Sequence, residues 1–194
     1  MAVAVAEAEV LPDFQTRDDV VALDPDGEYE LVNGQWEAKE MAGARHGGVM
    51  MRLGIRLGSY IEANDLGGIY GPDTTFMIGA EPRFPDVAVV FGDRIPPDGE
   101  PEGLWEIAPD LAVEVISPND VYNKVQGKLW DYFDAGVKQV WIVAPEHRTV
   151  TVYRSPVEPV VFSEDQELVS EDLLPGFCCK LSEVFKSPKG RKSE

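Results

Sequence analysis

Two carboxylates stand where strand-forming runs would normally carry none. In "DLAVEVISPND", residues 110–120, Glu114 interrupts the apolar series Leu111, Ala112, Val113, Val115 and Ile116. In "RFPDVAVVF", Asp86 opens a second apolar run. An unpaired charge inside a sheet is expensive, so each acid needs a reason to be there. Period-two alternation puts Asp86 on the face of Ala88 and Val90, and Glu114 on the face of Ala112 and Ile116. If the two strands are antiparallel neighbours with Asp86 beside Glu114, Ala88 lies beside Ala112. That leaves a floor of small residues next to two acids, with room for a ligand. Two adjacent carboxylates repel and raise one pKa. A divalent cation, Mg²⁺ or Mn²⁺, removes the conflict, because Mg²⁺ takes one or two carboxylates, keeps several waters and leaves positions for phosphate. The plainer alternative is that Asp86 caps a turn after Pro85 while Glu114 pairs with an Arg or Lys.

A lysine pair tips the balance toward the metal site. In "VYNKVQGKLWDYF", Lys124 and Lys128 are four apart and share one helical face. Beside them runs the stripe Val121, Val125, Leu129 and Phe133, which packs the helix on the sheet. The lysines then sit near the C-terminal end of Glu114's strand, where an ammonium can orient an attacking water or hold a phosphate oxygen. A solvated helix face is the bland reading of the same pair. Glu30, in "YELVNG", is a further acid in a strand-like arm, and an exposed hairpin residue is its plain reading. His46 opens a long helix, where a capping or packing role is the ordinary one.

The elements that must position these groups follow from the pattern. Asn33-Gly34 between two strand-like arms marks a hairpin. Val49, Met50, Leu53, Ile55, Leu57, Tyr60 and Ile61 predict a helix over about 46–64, stopped by Gly67-Gly68. Strands are predicted at 68–70, 74–78 and 84–91, followed by a loop rich in Pro, Gly and Asp over roughly 92–109. A strand at 111–116, a helix over about 120–135 ended by Gly136, and a strand at 139–144 form a βαβ unit whose strands should be parallel with a right-handed connection. "TVTVYRS", "EPVVFS" and "QELVS" predict closing β-structure, and "LPGFCCKLSEVF" a C-terminal clasp. The sum is an α/β (α+β) fold with a mixed sheet and helices. Residues 1–12 read as a flexible lead-in, 13–185 as one domain, and 186–194 as a disordered basic tail.

The chain has 194 residues, enough for one sizeable core, and a net charge of −18. That charge opposes a sequence-blind grip on DNA, which draws on Lys and Arg. The acid is uneven and crowds residues 1–40, so a local basic site survives as a possibility. Two adjacent cysteines, Cys178 and Cys179, form neither a disulfide framework nor a spaced ligand set, which fits a reduced, cytoplasmic protein. The start, "MAVAVAEAEV", lacks a positive n-region and carries Glu7 and Glu9, unlike a signal peptide; no run is long enough to span a membrane.

The ordered set "YELVNG", a helix-start His, "FPDVAVVF", "LAVEVISP" and "KLWDYFDAGVKQVWIV", closed by "LPGFCCKLSEVF", resembles the Uma-two family within the PD-(D/E)XK nuclease superfamily. The resemblance covers roughly residues 18–185. It implies a restriction-endonuclease-like core, a central mixed sheet flanked by helices. Pro85-Asp86 then matches the "PD" element, Glu114 the acid of the second element, and Glu30 the acid ahead of the core strands. The lysine expected two residues after Glu114 is absent, and Ile116 stands there. Lys128 matches a lysine moved to the following helix, with Lys124 a second candidate, and the Ile116 carbonyl is implied as a metal ligand. The expected activity is Mg²⁺-dependent endonucleolytic cleavage of DNA, with a homodimer as the expected assembly. Two rivals stand beside it. One is a nuclease-like scaffold used for protein interaction or assembly, which suits the acidic surface. The other is a metal-free acid/base hydrolase acting on a small substrate with two carboxylates.

Overall fold

β-Branched and apolar runs dictate the centre of the molecule. The computed structural model describes residues 29–32, 35–38, 43–117 and 122–188. The expected lead-in over 1–12, and residues 189–194 of the expected tail, lie outside the described residues. The elements in chain order are β1 (Tyr29–Val32), β2 (Gln35–Ala38), α1 (Ala44–Ala63), β3 (Gly67–Tyr70), β4 (Phe76–Ile78), β5 (Glu81–Arg83), β6 (Val87–Phe91), β7 (Leu111–Val115), α2 (Tyr122–Asp134), β8 (Gln139–Ala144), β9 (Thr149–Tyr153), β10 (Pro159–Ser163), β11 (Glu167–Ser170), β12 (Leu174–Lys180) and α3 (Leu181–Val184). A six-stranded sheet runs in the order β10-β9-β8-β7-β6-β3. Its only parallel pair is β7 with β8, bridged by α2; the remaining neighbours are antiparallel. The sheet is mixed, as expected. Three two-stranded antiparallel ribbons, β1–β2, β4–β5 and β11–β12, surround it.

Alternation along the strands sends side chains into two separate cores. Val87, Val89, Leu111, Val113 and Val115 join the α1 stripe of Val49, Leu53, Leu57 and Ile61, closed off by the C-terminal β12–α3 segment. Ala88, Val90, Ala112, Val140 and Ile142 face the other way, toward Leu129 and Tyr132 of α2 and the aromatic pair Phe76 and Trp105. Each fully buried Leu or Val contributes about 1.5–3 kcal/mol, so the two helices clamp β6 and β7 from opposite faces.

The helix ends differ in one respect from expectation. α1 stops before the glycine pair, at Asn64 and Asp65, with Asp65 in the left-handed region at φ 51°. A short polar side chain tolerates that conformation. Gly67 instead opens β3 at φ 142°, where a Cβ would stand 2.2 Å from the Val90 carbonyl oxygen. α2 ends as predicted. Gly136 has φ 91°, its N–H donates to the Phe133 carbonyl, and the Val137 N–H donates to the Tyr132 carbonyl, both at 3.0 Å. That reciprocal pair is the Schellman closure.

Candidate active site at the end of β6 and β7

The site is set by register. β6 and β7 pair Val87 with Val113 and Ala88 with Ala112, and one further step along the pairing sets Asp86 opposite Glu114. The small-residue floor of Ala88 and Ala112 is present, and both residues are fully buried. Asp86 itself lies one residue ahead of β6 instead of inside a longer strand. Pro85 precedes it, and proline supplies no N–H to a ladder. Freed from the pairing, the Asp86 carboxylate turns onto the neighbouring chain: its Oδ2 accepts from the Val115 N–H at 2.7 Å.

Asp86 stands between the two helical layers. On the α1 side, His46 Nε2 is 3.5 Å from Asp86 Oδ2, and both side chains are 17% exposed. On the α2 side, Asp86 is close enough to Tyr132 for its charge to bear on that phenol. The described contacts of Asp86 fall on Oδ2. His46, at the start of α1, therefore neighbours Asp86.

Glu114 is held from α2. The Tyr132 hydroxyl donates to Glu114 Oε1 at 2.6 Å. Burial pushes the Tyr132 phenol well above its ordinary pKa, the Glu114 charge and hydrogen bond and the Asp86 charge add to this, and the nearby Arg83 guanidinium opposes it. At neutral pH the phenol is therefore a proton-bearing donor aimed at a carboxylate. The Schellman closure after α2 fixes the Tyr132 backbone and so the reach of its ring.

Lys128 lies one turn before Tyr132, on the same face of α2, partly buried. Lys124 lies one turn further toward the helix start, and its side chain is outside the described residues. Ile116 packs its side chain against the α2-side core, and its N–H donates to the Val143 carbonyl at 2.8 Å. Glu30 is in β1, which lies against β5, the strand leading to Asp86. Its side chain, too, is outside the described residues. The geometry therefore brings together Asp86, Glu114 and the Lys128-bearing helix, with His46 and Tyr132 as their neighbours.

Sequence reasoning missed Arg83 and passed over Tyr132. Arg83 is 4% exposed, and its guanidinium lies 2.7 Å from both Glu81 and Asp131. It ties the β4–β5 ribbon to α2 one residue from Tyr132. The readable signal was the string Arg83-Phe84-Pro85-Asp86 itself, a cation in a strand-like run just ahead of the acid.

Two carboxylates on neighbouring strands are hard-oxygen donors of the kind that suit Mg²⁺ or Mn²⁺. Among the described residues, no three His, Cys, Asp or Glu side chains gather into a ready-made cage. Mg²⁺ does not demand one, since one or two carboxylates with water suffice.

A mixed sheet clamped between helices, with an acid pair at the end of two adjacent strands, defines an α/β protein of nuclease-like architecture. The sequence matches the Uma2 family, described as "Putative restriction endonuclease", over residues 11–182. The chain belongs to that family. Among solved structures it is similar to a protein from Anabaena variabilis ATCC 29413, described as "a putative nuclease belonging to DUF820". The two share 23% identity with a TM-score of 0.77, over 88% of this chain and 97% of the other. No curated protein matches the sequence. Among the described residues, no helix is long and apolar enough to cross a membrane.

Proposed function

We propose that the protein is a metal-dependent endodeoxyribonuclease that hydrolyses phosphodiester bonds at the Asp86–Glu114 pair. The observation that carries this is the β6–β7 register: Val87 pairs with Val113 and Ala88 with Ala112, and its extension by one step would bring Asp86 to Glu114 beside a floor of alanines. Family membership supports nucleic acid as the substrate. Asp86 and Glu114 would hold Mg²⁺ or Mn²⁺, with the Ile116 carbonyl as a further ligand and Glu30 assisting from β1. Bound there, the ion would polarise a phosphoryl oxygen and lower the pKa of water. The chain's own groups prepare the site. The Val115 N–H and His46 fix Asp86, and the Tyr132 phenol fixes Glu114. Lys128, with Lys124 as the alternative, orients the attacking water or steadies a phosphate oxygen. Two copies would cut two strands, and the exposed Val160 and Val161 on edge strand β10 offer a surface for a homodimer.

The deciding experiment is a cleavage assay on duplex, nicked, branched and single-stranded DNA with Mg²⁺, Mn²⁺ or EDTA, using Asp86→Ala as control. Metal-dependent cutting that Asp86→Ala abolishes is the expected result. Cutting by folded Asp86→Ala at the wild-type rate would overturn the assignment. One observation favours a second reading: the net charge of −18 suits a nuclease-like scaffold used for assembly. On that reading no DNA is cut under any of the metal conditions.

A further inference from the structure

A cleft of about 400 Å³ runs between α1 and β3 and ends at Asp86. Met50, Met51, Ile55, Ile69 and Tyr70 form much of its wall, while Ser59 and Glu62 stand at its polar fringe. Met51 and Ile55 are 56% and 59% exposed, an unusual outlay of apolar surface on a protein this acidic. The Tyr70 ring packs edge-on against Phe76 and Trp105 at 6.0 and 5.3 Å between centroids, and its hydroxyl donates to Glu100 at 3.0 Å. The ring thus packs in the α2-side core, while Ile69 before it faces Gly58 of α1.

We infer that this cleft receives an unpaired nucleobase next to the bond to be cut, so that the substrate is single-stranded or locally unstacked DNA. The inference rests on the nuclease reading for the role of Asp86. Three observations select this occupant. The cleft shares Asp86 with the acid pair, so whatever fills it abuts the reacting phosphate. Among the described residues lining it, none is Lys or Arg. A phosphate would meet two carboxylates, Asp86 and Glu62, and no cation there, whereas the amino edge of a base finds acceptors. Finally, a chain of net charge −18 gains little from counterion release, so affinity must come from apolar contact, which a base in a duplex interior does not offer. The volume falls within the range of small-molecule clefts, enough for a base and part of its sugar.

The test uses a single-stranded oligodeoxynucleotide carrying one 2-aminopurine, with Ca²⁺ in place of Mg²⁺. Stacking quenches this base, so its transfer into the cleft raises the emission. The expected result is a saturable rise with the single strand and none with the same base in a perfect duplex. Ile55→Asp, on an exposed wall, should weaken the response at least about tenfold, as loss of one buried aliphatic contact does. Gly54→Ala provides a second variant: its Cβ would lie 3.6 Å from Val87, an ordinary contact, while narrowing the cleft. Equal signals from duplex and single strand, or an undiminished signal in both variants, would overturn the inference. So would a wild-type dimer that Ile55→Asp dissociates, which would assign the surface to a second copy of the chain. The two readings fail separately. Metal-dependent cutting without a base signal removes only the cleft, and a base signal without cutting removes only the nuclease.

Discussion

Strand β7 begins beside one acid and nearly ends on another, and the two are treated in opposite ways. Asp110, just before the strand, is fully buried. Its Oδ1 lies 3.1 Å from Arg94 and 2.8 Å from Lys138, and its Oδ2 accepts from the Phe91 N–H at 2.8 Å. Lys138 also sits 5.0 Å from the Phe91 ring centroid. This charge is sealed between cations from two distant segments and joins β6, β7 and the start of β8. Glu114, four residues on, is partly exposed and takes a neutral phenol as a donor, opposite a second acid. A structural charge in this strand is neutralised and closed off. The carboxylate proposed for chemistry is oriented by a phenol and stays partly exposed.

The sharpest break of that comparison is at the open end. Asp86→Ala should lower metal-dependent cleavage by at least about a hundredfold, the scale expected when an electrostatic contributor to the transition state is lost. Its melting temperature should fall only modestly, by the loss of the acceptor for the Val115 N–H, while cleavage falls far more. A mutant that melts early and cuts normally would reverse the roles given to the two ends. At the closed end, Asp110→Asn should do the opposite. It strands Arg94 and Lys138 around a neutral amide and should cost about 3 kcal/mol, read from the denaturant midpoint. Lys138 is half exposed and relaxes into water, which keeps the cost at the low end of the range for broken buried pairs. Specific activity per folded molecule should be unchanged.

Tyr132→Phe sharpens the comparison, because it removes only the donor. Stability at pH 7 should fall by about 1.5–3 kcal/mol, the range for hydrogen bonds to charged groups, and cleavage about tenfold as Glu114 loses its orientation. The pH dependence has a definite sign. Tyr132 titrates higher in the folded than in the unfolded chain, so the folded state keeps a proton that the unfolded state releases. That contribution is fully present below the unfolded tyrosine pKa of about 10 and is lost as pH rises above it. Wild-type stability should therefore fall in alkali, and Tyr132→Phe should flatten the fall. An identical alkaline slope in both proteins would remove the phenol from the account.

The open end was more legible in the sequence than the closed one, for a physical reason. Asp86 and Glu114 each sit in a strand-like run, where alternation assigns a face, and the assumption of antiparallel neighbours with Asp86 beside Glu114 supplies the register. Ala88 beside Ala112 followed from the same count and is what the structure shows. The role of Asp110 depends on Arg94 and Lys138, which arrive through a loop and a crossover that no local pattern encodes. The β4–β5 ribbon was hidden similarly: Pro82 demotes "EPR" as a strand, and the fold accepts it in a two-stranded ribbon outside the main sheet. Arg83 was lost with it. The antiparallel pairing of β1 with β2 was legible because Asn33-Gly34, itself outside the described residues, is a local turn signal.

The smallest expected effect links helix termination to the site. Gly136 holds φ 91°, a conformation that disfavours any Cβ, although the space around it is open. Gly136→Ala should therefore cost about 1 kcal/mol from backbone strain alone, with no steric clash to add to it. Because the Schellman closure bonds directly to the Tyr132 carbonyl, the strain should be relieved partly by fraying the last turn of α2. Hydrogen exchange should then show faster amide opening at Gly136 and Val137, the donors of that closure, while Phe91 and Asp110 in the sealed end keep their protection. Uniform loss of protection at both ends would mean that α2 and the Asp110 clamp unfold as one unit, and that the two ends of β7 are less independent than their chemistry.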